Sequence, residues 1–443
     1  MKIVLIAGWY FPDSVGGTET YVHMLAKDLQ IMGHEVRVAA PLLGDSEENY
    51  IYDDIRVYRY PVSNSPSFSE IRGEPPPEYF GFFSRWIQHE QPDVVHQHSY
   101  TRGCGLHHAE YVKSLNIPLV FTAHVPGIVC NRGTLMRWGK IACDGQFYQQ
   151  RCTACVLEQK GLPKTVSTAI SILPDIATNS LRNIENSFAT IFQIKQLTAD
   201  QHRRIFHLFS ISDKVVSVAQ WMGQMLLNNG LNKQKLVISR HGLIPVTNRT
   251  NISKSPKFPL HIGYIGRFDR IKGIHIIIEA IKRLSPLSKS KLKLYVYGKV
   301  NNSDEKKYLE VLNKLIESEE AIVLAGEVTN QNRDAVMNNI DILAIPSIWL
   351  ETGPLVVLEA FAAGVPVIGS NLGGIAENVQ QDVNGILVEA GNVTAWTRAF
   401  EKLADNPEII SKLQAGILQV RSSRDVALEM LDIYYQVQVE ANI

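Results

Sequence analysis

The sequence predicts an α/β protein made of two doubly wound, parallel-sheet domains. Three observations carry that expectation. Short apolar runs of strand length alternate with helical stretches along the whole of the 443 residues, the pattern of parallel β–α units. In each half a glycine turn follows the first strand, at Gly16-Gly17 and at Gly266, and a helical pattern opens behind it. Between the halves, residues 243–259 turn polar and proline-bearing, from Ile244-Pro-Val-Thr-Asn to Ser253-Lys-Ser-Pro256, and are read as the linker.

The elements follow in order. Met1 to Phe11 has too short an apolar run for a signal segment, and helical periodicity resumes from Tyr21, so residues 2–7 are read as a buried first strand. A helix at 18–32 places Tyr21, Leu25, Leu29 and Met32 on one face, toward the core. Further strands are expected at 35–40, 93–96, 118–122, 214–218 and 236–239. The second series has strands at 260–265, 292–297, 321–325, 341–345, 366–369 and 386–388, with helices including 273–284, 303–318 and 355–363. A last helix at about 423–439 carries Val426, Met430, Ile433 and Val437 on one face. The expected domains are 1–245, with a cysteine-bearing insertion at about 130–205, then 260–420, then a terminal helical segment at 421–443.

Composition narrows the function. The 44 basic residues balance 44 acidic ones, which argues against a nucleic-acid binder. No window approaches the roughly 18 to 20 apolar residues that span a bilayer, so a cytoplasmic protein is expected.

The chemistry concentrates in Glu351-Thr-Gly-Pro-Leu-Val-Val-Leu-Glu359, two carboxylates with seven residues between them. Pro354 suits the first position of a helix, which puts Glu351 just before it and Glu359 near its second turn. The N–H groups of Leu355 and Val356 then point where the carboxylates do. Carboxylates bind sugar hydroxyls and a helix N-terminus binds phosphate, so a phosphorylated sugar is the expected ligand. Upstream, Gly266-Arg267 and Lys272-Gly273 add a planar donor fork and a point charge suited to phosphate oxygens.

Taken together, Gly266-Arg267, Lys272-Gly273, Pro346-Ser347, Glu351, Glu359-Ala360, Gly364-Val-Pro366, Gly373-Gly374, Glu377 and Asn384-Gly385 resemble the C-terminal half of the family-4 retaining glycosyltransferases. Gly16-Gly17-Thr18-Glu19 and Gly33-His34-Glu35-Val36 agree in the first half. The resemblance implies the GT-B architecture: two Rossmann-like domains facing across a cleft, with the terminal helix crossing back onto the first domain.

It also implies roles. Arg267 and Lys272 would stabilise the departing diphosphate, in place of the divalent metal other transferases use, and no Asp-x-Asp pair occurs in the sequence. Glu359 would bind the ribose of a UDP- or GDP-sugar, and Glu351 would sit beside the donor sugar with the N–H groups of Thr352 and Gly353. Glu351 as nucleophile and a front-face reaction without one are both open, and the front-face route is favoured. Many members carry an aromatic residue and a glycine where this chain has Thr352-Gly-Pro354. His124, in Thr122-Ala-His124, would support the reacting centre, Gly16-Gly17 would approach the ligand closely, and His98 would shape the acceptor pocket. Gly373-Gly374 and Glu377 are expected to serve the turn they form.

Cys130, Cys143, Cys152 and Cys155 lie in the insertion, and Cys152-x2-Cys155 has the spacing of half a thiolate site. A structural zinc, unligated thiols and disulfides all fit that spacing, and none implies a catalytic role. Residues 165–205 read as one or two amphipathic helices broken near Pro174, and Arg132, Arg137, Lys140 and Trp138 mark a place where the chain would touch a membrane surface. The expected activity is therefore hexosyl transfer from a nucleotide sugar to a carbohydrate or glycolipid acceptor, with no cofactor required for catalysis. The alternatives are a sugar-nucleotide epimerase on the same fold and a non-catalytic sugar-nucleotide-binding partner protein. A dinucleotide-dependent dehydrogenase fits worse, because Gly16-Gly17 lacks the Gly-x-Gly-x-x-Gly spacing.

Overall fold

The computed structural model describes residues 1–13, 16–174, 187–244, 258–317, 319–329 and 331–441. Most of the expected linker lies outside the described residues, as do residues 175–186, which follow the break expected near Pro174. The chain divides into two compact units, residues 1–242 with 423–443, and residues 243–422.

The first unit holds an eight-stranded sheet. Its strands are β1 (Lys2–Ile6), β2 (Glu35–Leu43), β3 (Glu48–Tyr52), β4 (Ile55–Val62), β5 (Val94–Gln97), β6 (Leu119–Ala123), β9 (Lys214–Ser217) and β10 (Leu236–Ile238). A separate two-stranded ribbon, β7 (Met136–Arg137) with β8 (Ile141–Ala142), decorates the cysteine-bearing segment. The sheet order is β10-β9-β6-β5-β1-β2-β4-β3, parallel except where β3 pairs antiparallel with β4 at the edge. The chain runs outward from β1 through β2 and β4, then returns to β5 on the other side of β1. That reversal between β1 and β5 is a topological switch point, where open α/β sheets bind ligands at their carboxyl ends.

Strands β1 and β6 are buried almost throughout, which is why they read as largely apolar runs; β5 is equally buried but ends in the polar pair His96-Gln97. The helix Gly17–Ile31 buries Tyr21, Leu25 and Leu29 against one face of the sheet. The terminal helix Ser423–Ala441 shares that core through Val426, Met430, Ile433, Tyr434 and Val437.

The second unit is a six-stranded parallel sheet of β11 (Leu260–Ile265), β12 (Leu292–Tyr297), β13 (Ile322–Gly326), β14 (Ile342–Ile345), β15 (Val367–Ser370) and β16 (Gly385–Val388). Its order, β13-β12-β11-β14-β15-β16, is the 3-2-1-4-5-6 arrangement of a dinucleotide-type fold, with the switch point between β11 and β14. The helix Ile274–Lys282 is apolar except for one stripe, His275, Glu279 and Lys282, and packs on this sheet together with Trp396 and Phe400 of the helix Val393–Asp405. No helix among the described residues is long and apolar enough to cross a membrane.

Candidate active site

In the second unit, the loops that leave β11 and β14 meet at the switch point. After β11, the Gly266 N–H donates to the Tyr297 carbonyl (3.1 Å) and the Tyr264 hydroxyl donates to the Arg267 carbonyl (3.0 Å), fixing the turn. Asp269 accepts from the Ile271 N–H (3.1 Å) and starts a single 3-10 turn, Arg270–Lys272. Gly273 ends that turn at φ 74°. A Cβ there would stand 1.9 Å from the Pro346 carbonyl oxygen, so only glycine lets the two loops approach this closely. The Ile348 N–H then donates to the Ile271 carbonyl (2.8 Å) and ties the β14 loop to the β11 loop.

The charged groups sit on that seam. Lys272 Nζ donates to Glu351 Oε1 (3.0 Å), and the Ser347 hydroxyl donates to the same oxygen. Glu351 is buried, and the Lys272 ammonium also lies 5.6 Å from the centroid of the Trp349 ring. The backbone of Glu351 is held from the other side. Its carbonyl accepts the Gly374 N–H (2.6 Å), and a Cβ on Gly374 would stand 2.4 Å from the Thr352 carbonyl oxygen. Gly373-Gly374 thus does more than make its own turn: it is the seat on which the Glu351-Thr352 loop rests.

Pro354 stands one place before the helix Leu355–Ala362, as its N-cap, and not at the first helical position as the sequence suggested. Its ψ of 109° is extended, and its carbonyl accepts the Val357 N–H (3.1 Å). Leu355 and Val356 are therefore the first two helical residues, whose N–H groups have no carbonyl one turn earlier within the helix. Glu359, one turn on, pairs with Arg333 (Nη1 to Oε1, 3.4 Å). Burial pushes the Glu359 carboxyl up from its ordinary value, and Arg333 pulls it back. Arg267 is 55% exposed and reaches Glu305 at 4.0 Å. Of the expected set, Lys272 and Glu351 are in direct contact, while Arg267 and Glu359 pair with Glu305 and Arg333.

In the first unit the ends of β1 and β5 are joined where the Gly8 N–H donates to the Ser99 hydroxyl (2.9 Å). Gly16 is the extended N-cap of the helix Gly17–Ile31, and a Cβ on it would meet Glu19 Oε2 at 2.6 Å.

Three histidines, His98, His124 and His241, pack around Tyr21, and His96 lies against His98 at 3.9 Å. His98 follows β5 and His124 follows β6, and His98 Nδ1 lies 3.1 Å from His124 Nε2. The His124 ring stacks with His241 at 5.9 Å, and the Tyr21 ring touches His98, His124 and His241. Burial, helped by the neighbouring histidines, holds His96, His98 and His124 well below the usual imidazole range, so they are neutral at pH 7. Sequence reading singled out His98 and His124 but not His96 and His241, whose partners are distant in the chain.

All four cysteines of the insertion line one cavity, with Cys152 and Cys155 one turn apart on the helix Gln149–Gln159. All are free thiols. Burial pushes the Cys143 and Cys152 thiols up, and the nearby Cys130 adds to both shifts. Cys155 Sγ accepts from the Trp138 N–H (3.4 Å). Among the described residues no three Cys, His, Asp or Glu side chains are arranged to hold a metal ion. The segment brings its thiols to one place without converging them on one point.

Two Rossmann-like units in one chain are the architecture of the GT-B fold. Residues 247–416 match the family described as Glycosyl transferases group 1, and residues 15–152 match Glycosyltransferase Family 4. The chain belongs to the family-4 glycosyltransferases. An uncharacterized glycosyltransferase of Methanocaldococcus jannaschii is 24% identical over 98% of each chain. The phosphatidyl-myo-inositol mannosyltransferase of Mycobacterium leprae is 22% identical over 95% of this chain and 92% of that one. Among solved structures, Anabaena HepE in complex with UDP superposes with a TM-score of 0.64 at 15% identity, over 98% of this chain and all of that one.

Proposed function

We propose that the protein is a retaining, metal-independent glycosyltransferase that moves a hexosyl-type sugar from a nucleotide diphosphate donor to an acceptor hydroxyl. The observation that carries this is the pairing of Lys272 and Ser347 with the buried Glu351 at the β11/β14 switch point. A cation and a carboxylate held together there suit a ligand that is phosphate at one end and sugar at the other. HepE, bound to UDP, supports a uridine nucleotide as the donor's base. The phosphatidyl-myo-inositol mannosyltransferase among the relatives supports a glycolipid acceptor.

In the reaction the bond between the anomeric carbon and the diphosphate oxygen breaks, and its electron pair leaves with the phosphate. Arg267 and Lys272 stabilise that growing charge. The acceptor oxygen adds to the same face of the sugar, and its proton passes to the departing phosphate, so no enzymic nucleophile is needed. Glu351 orients the sugar hydroxyls, and Glu359 accepts from the ribose. The N–H groups of Leu355 and Val356 take diphosphate oxygens, as helix N-termini do. His124, by family resemblance, supports the sugar as it acquires positive charge.

A thermal-shift and hydrolysis screen against UDP-, GDP- and ADP-sugars tests this, with Glu359→Ala and Arg267→Ala alongside. One nucleotide sugar should stabilise the wild type and leave both variants unmoved. Stabilisation by none of them, or equal stabilisation of the variants, would remove the donor site from this loop. Epimerised sugar nucleotide from donor alone would make the protein an epimerase instead.

A further inference from the structure

We infer that Cys130, Cys143, Cys152 and Cys155 ligate an iron–sulfur cluster, which staples the loop-rich segment 126–148 to the helix Gln149–Gln159. These ligands take no part in the proposed sugar transfer.

The four thiols line one cavity, and Cys130, Cys143 and Cys152 are close enough to act on one another electrostatically. They surround a space without meeting at a point, since among the described residues no three Cys, His, Asp or Glu side chains are arranged to hold a metal ion. That arrangement separates two thiolate-bound guests. A zinc ion stands about 2.3 Å from each of its four sulfurs, which draws all four to within about 3.8 Å of one another. An iron–sulfur cluster spreads four thiolates over two or four irons, and no iron takes three of them. Its own sulfides fill the space between. Thiols set around a cavity fit the cluster and not the single ion.

The groups around the sulfurs are those a thiolate needs. A neutral thiol is a weak acceptor, and a charged sulfur is a strong one. The Trp138 N–H donates to Cys155 Sγ (3.4 Å), and backbone hydrogen bonds from Gly145 and Tyr148 favour the thiolates of Cys143 and Cys152. The chain bends sharply at two of these donors, with Trp138 at φ 57° and Gly145 at φ 72°. A left-handed tryptophan is costly and persists only where its surroundings impose it, as at a ligand clamp.

The cavity wall has the matching charge. Arg132, Arg137 and Arg151 line it, and no carboxylate does. Arg132 Nη1 lies 3.9 Å from Cys155 Sγ, and the buried Arg151 Nε has no hydrogen-bond partner among the described residues. Glu158 and Asp144 pair with Arg132 and Arg151 from outside the lining. The wall therefore offers donors and positive charge to an anionic guest, and a cluster bound by four thiolates is one. Leu135 and Met136, both buried, add the apolar surface that limits water at the irons. On ligation each thiol gives its proton to solvent as its sulfur bonds to iron, with iron and sulfide as the co-reactants.

Metal and sulfide analysis of the full chain, purified without oxygen, tests this with no substrate. The wild type should carry about two to four irons with as many acid-labile sulfides, a visible sulfur-to-iron charge-transfer band and only trace zinc. Incubation with ferrous iron and sulfide under reductant should restore any cluster lost in purification. The double variant Cys143→Ala/Cys155→Ala should hold almost no iron. Cys104→Ala, at the one cysteine that does not line the cavity, should hold as much as wild type. One zinc per chain with no uptake of iron, or neither metal after incubation, overturns the inference, as does full iron in the double variant. The wild-type content decides the matter alone if the double variant fails to fold.

Discussion

Replacing Lys272 with methionine removes the cation from a carboxylate that has little access to water. The side chains of Lys272 and Glu351 are 20% and 8% exposed, so solvent screens the pair only partly. Breaking a buried pair by removing one partner costs about 3–5 kcal/mol, because the other charge is left uncompensated. Ser347 still donates to Glu351, which places the expectation near the lower end, about 3 kcal/mol. A unit of this size loses roughly 2–4 °C per kcal/mol, so its melting transition should fall by about 6–12 °C. Adding Glu351→Gln removes the stranded charge, and the double variant should regain most of that loss while remaining inactive in transfer. Differential scanning calorimetry of the full chain, run as a double-mutant cycle, separates the two effects. A single variant melting within a degree of wild type would refute the reasoning, since it would make the pair no stronger than a surface contact of about 0–1 kcal/mol.

Gly273→Ala forces a side chain into a left-handed backbone 1.9 Å from the Pro346 carbonyl oxygen and should cost about 2–4 kcal/mol in urea denaturation, with donor binding lost; wild-type stability would show that the two loops need not approach so closely. His96, His98 and His124 are held low, and burial depresses His108 to about 3, so the unfolded chain takes up protons below pH 6.5 that the folded chain does not. Stability is therefore fully present above about pH 6.5 and falls below it by up to roughly 1.4 kcal/mol per pH unit for each histidine; a melting temperature flat from pH 7.5 to 5.5 would contradict this. Arg333→Ala removes the group that opposes the upward shift of Glu359, so donor affinity measured by calorimetry should begin to fall at a higher pH than in wild type. An unchanged pH dependence would show that Glu359 does not bind donor as a carboxylate.

Strands buried on both faces, such as β1, β11 and β14, were legible because burial on both sides makes the whole run apolar. The pair β3 and β4 was not. Its turn is Asp53-Asp54, both at positive φ, where Asn-Gly would have announced a hairpin, and β3 is an edge strand with no fully buried residue. In the candidate site, the charged residues stood out because Gly266-Arg267 and Lys272 combine with two carboxylates, Glu351 and Glu359, at a fixed spacing around one helix start. The groups that hold them did not. Ser347 belongs to the motif that carries the resemblance, but nothing in its position tells that its hydroxyl donates to Glu351 four residues on. Gly373-Gly374 looks like an ordinary turn until its contact with the Glu351 backbone is seen. The contact of Tyr434 with His96 joins positions 338 residues apart, and nothing local in the sequence encodes it. Pro354 was misplaced by one residue because proline is at home both just before a helix and at its start.

The central claim is retaining, metal-independent sugar transfer, and the anomeric configuration of the product tests it most directly. Proton NMR of the product formed from the donor selected in the thermal-shift screen, with a chelator present throughout, should show the anomeric configuration of the donor preserved and a rate unchanged by the chelator. An inverted anomeric centre, or transfer abolished by the chelator and restored by a divalent metal, would contradict the account.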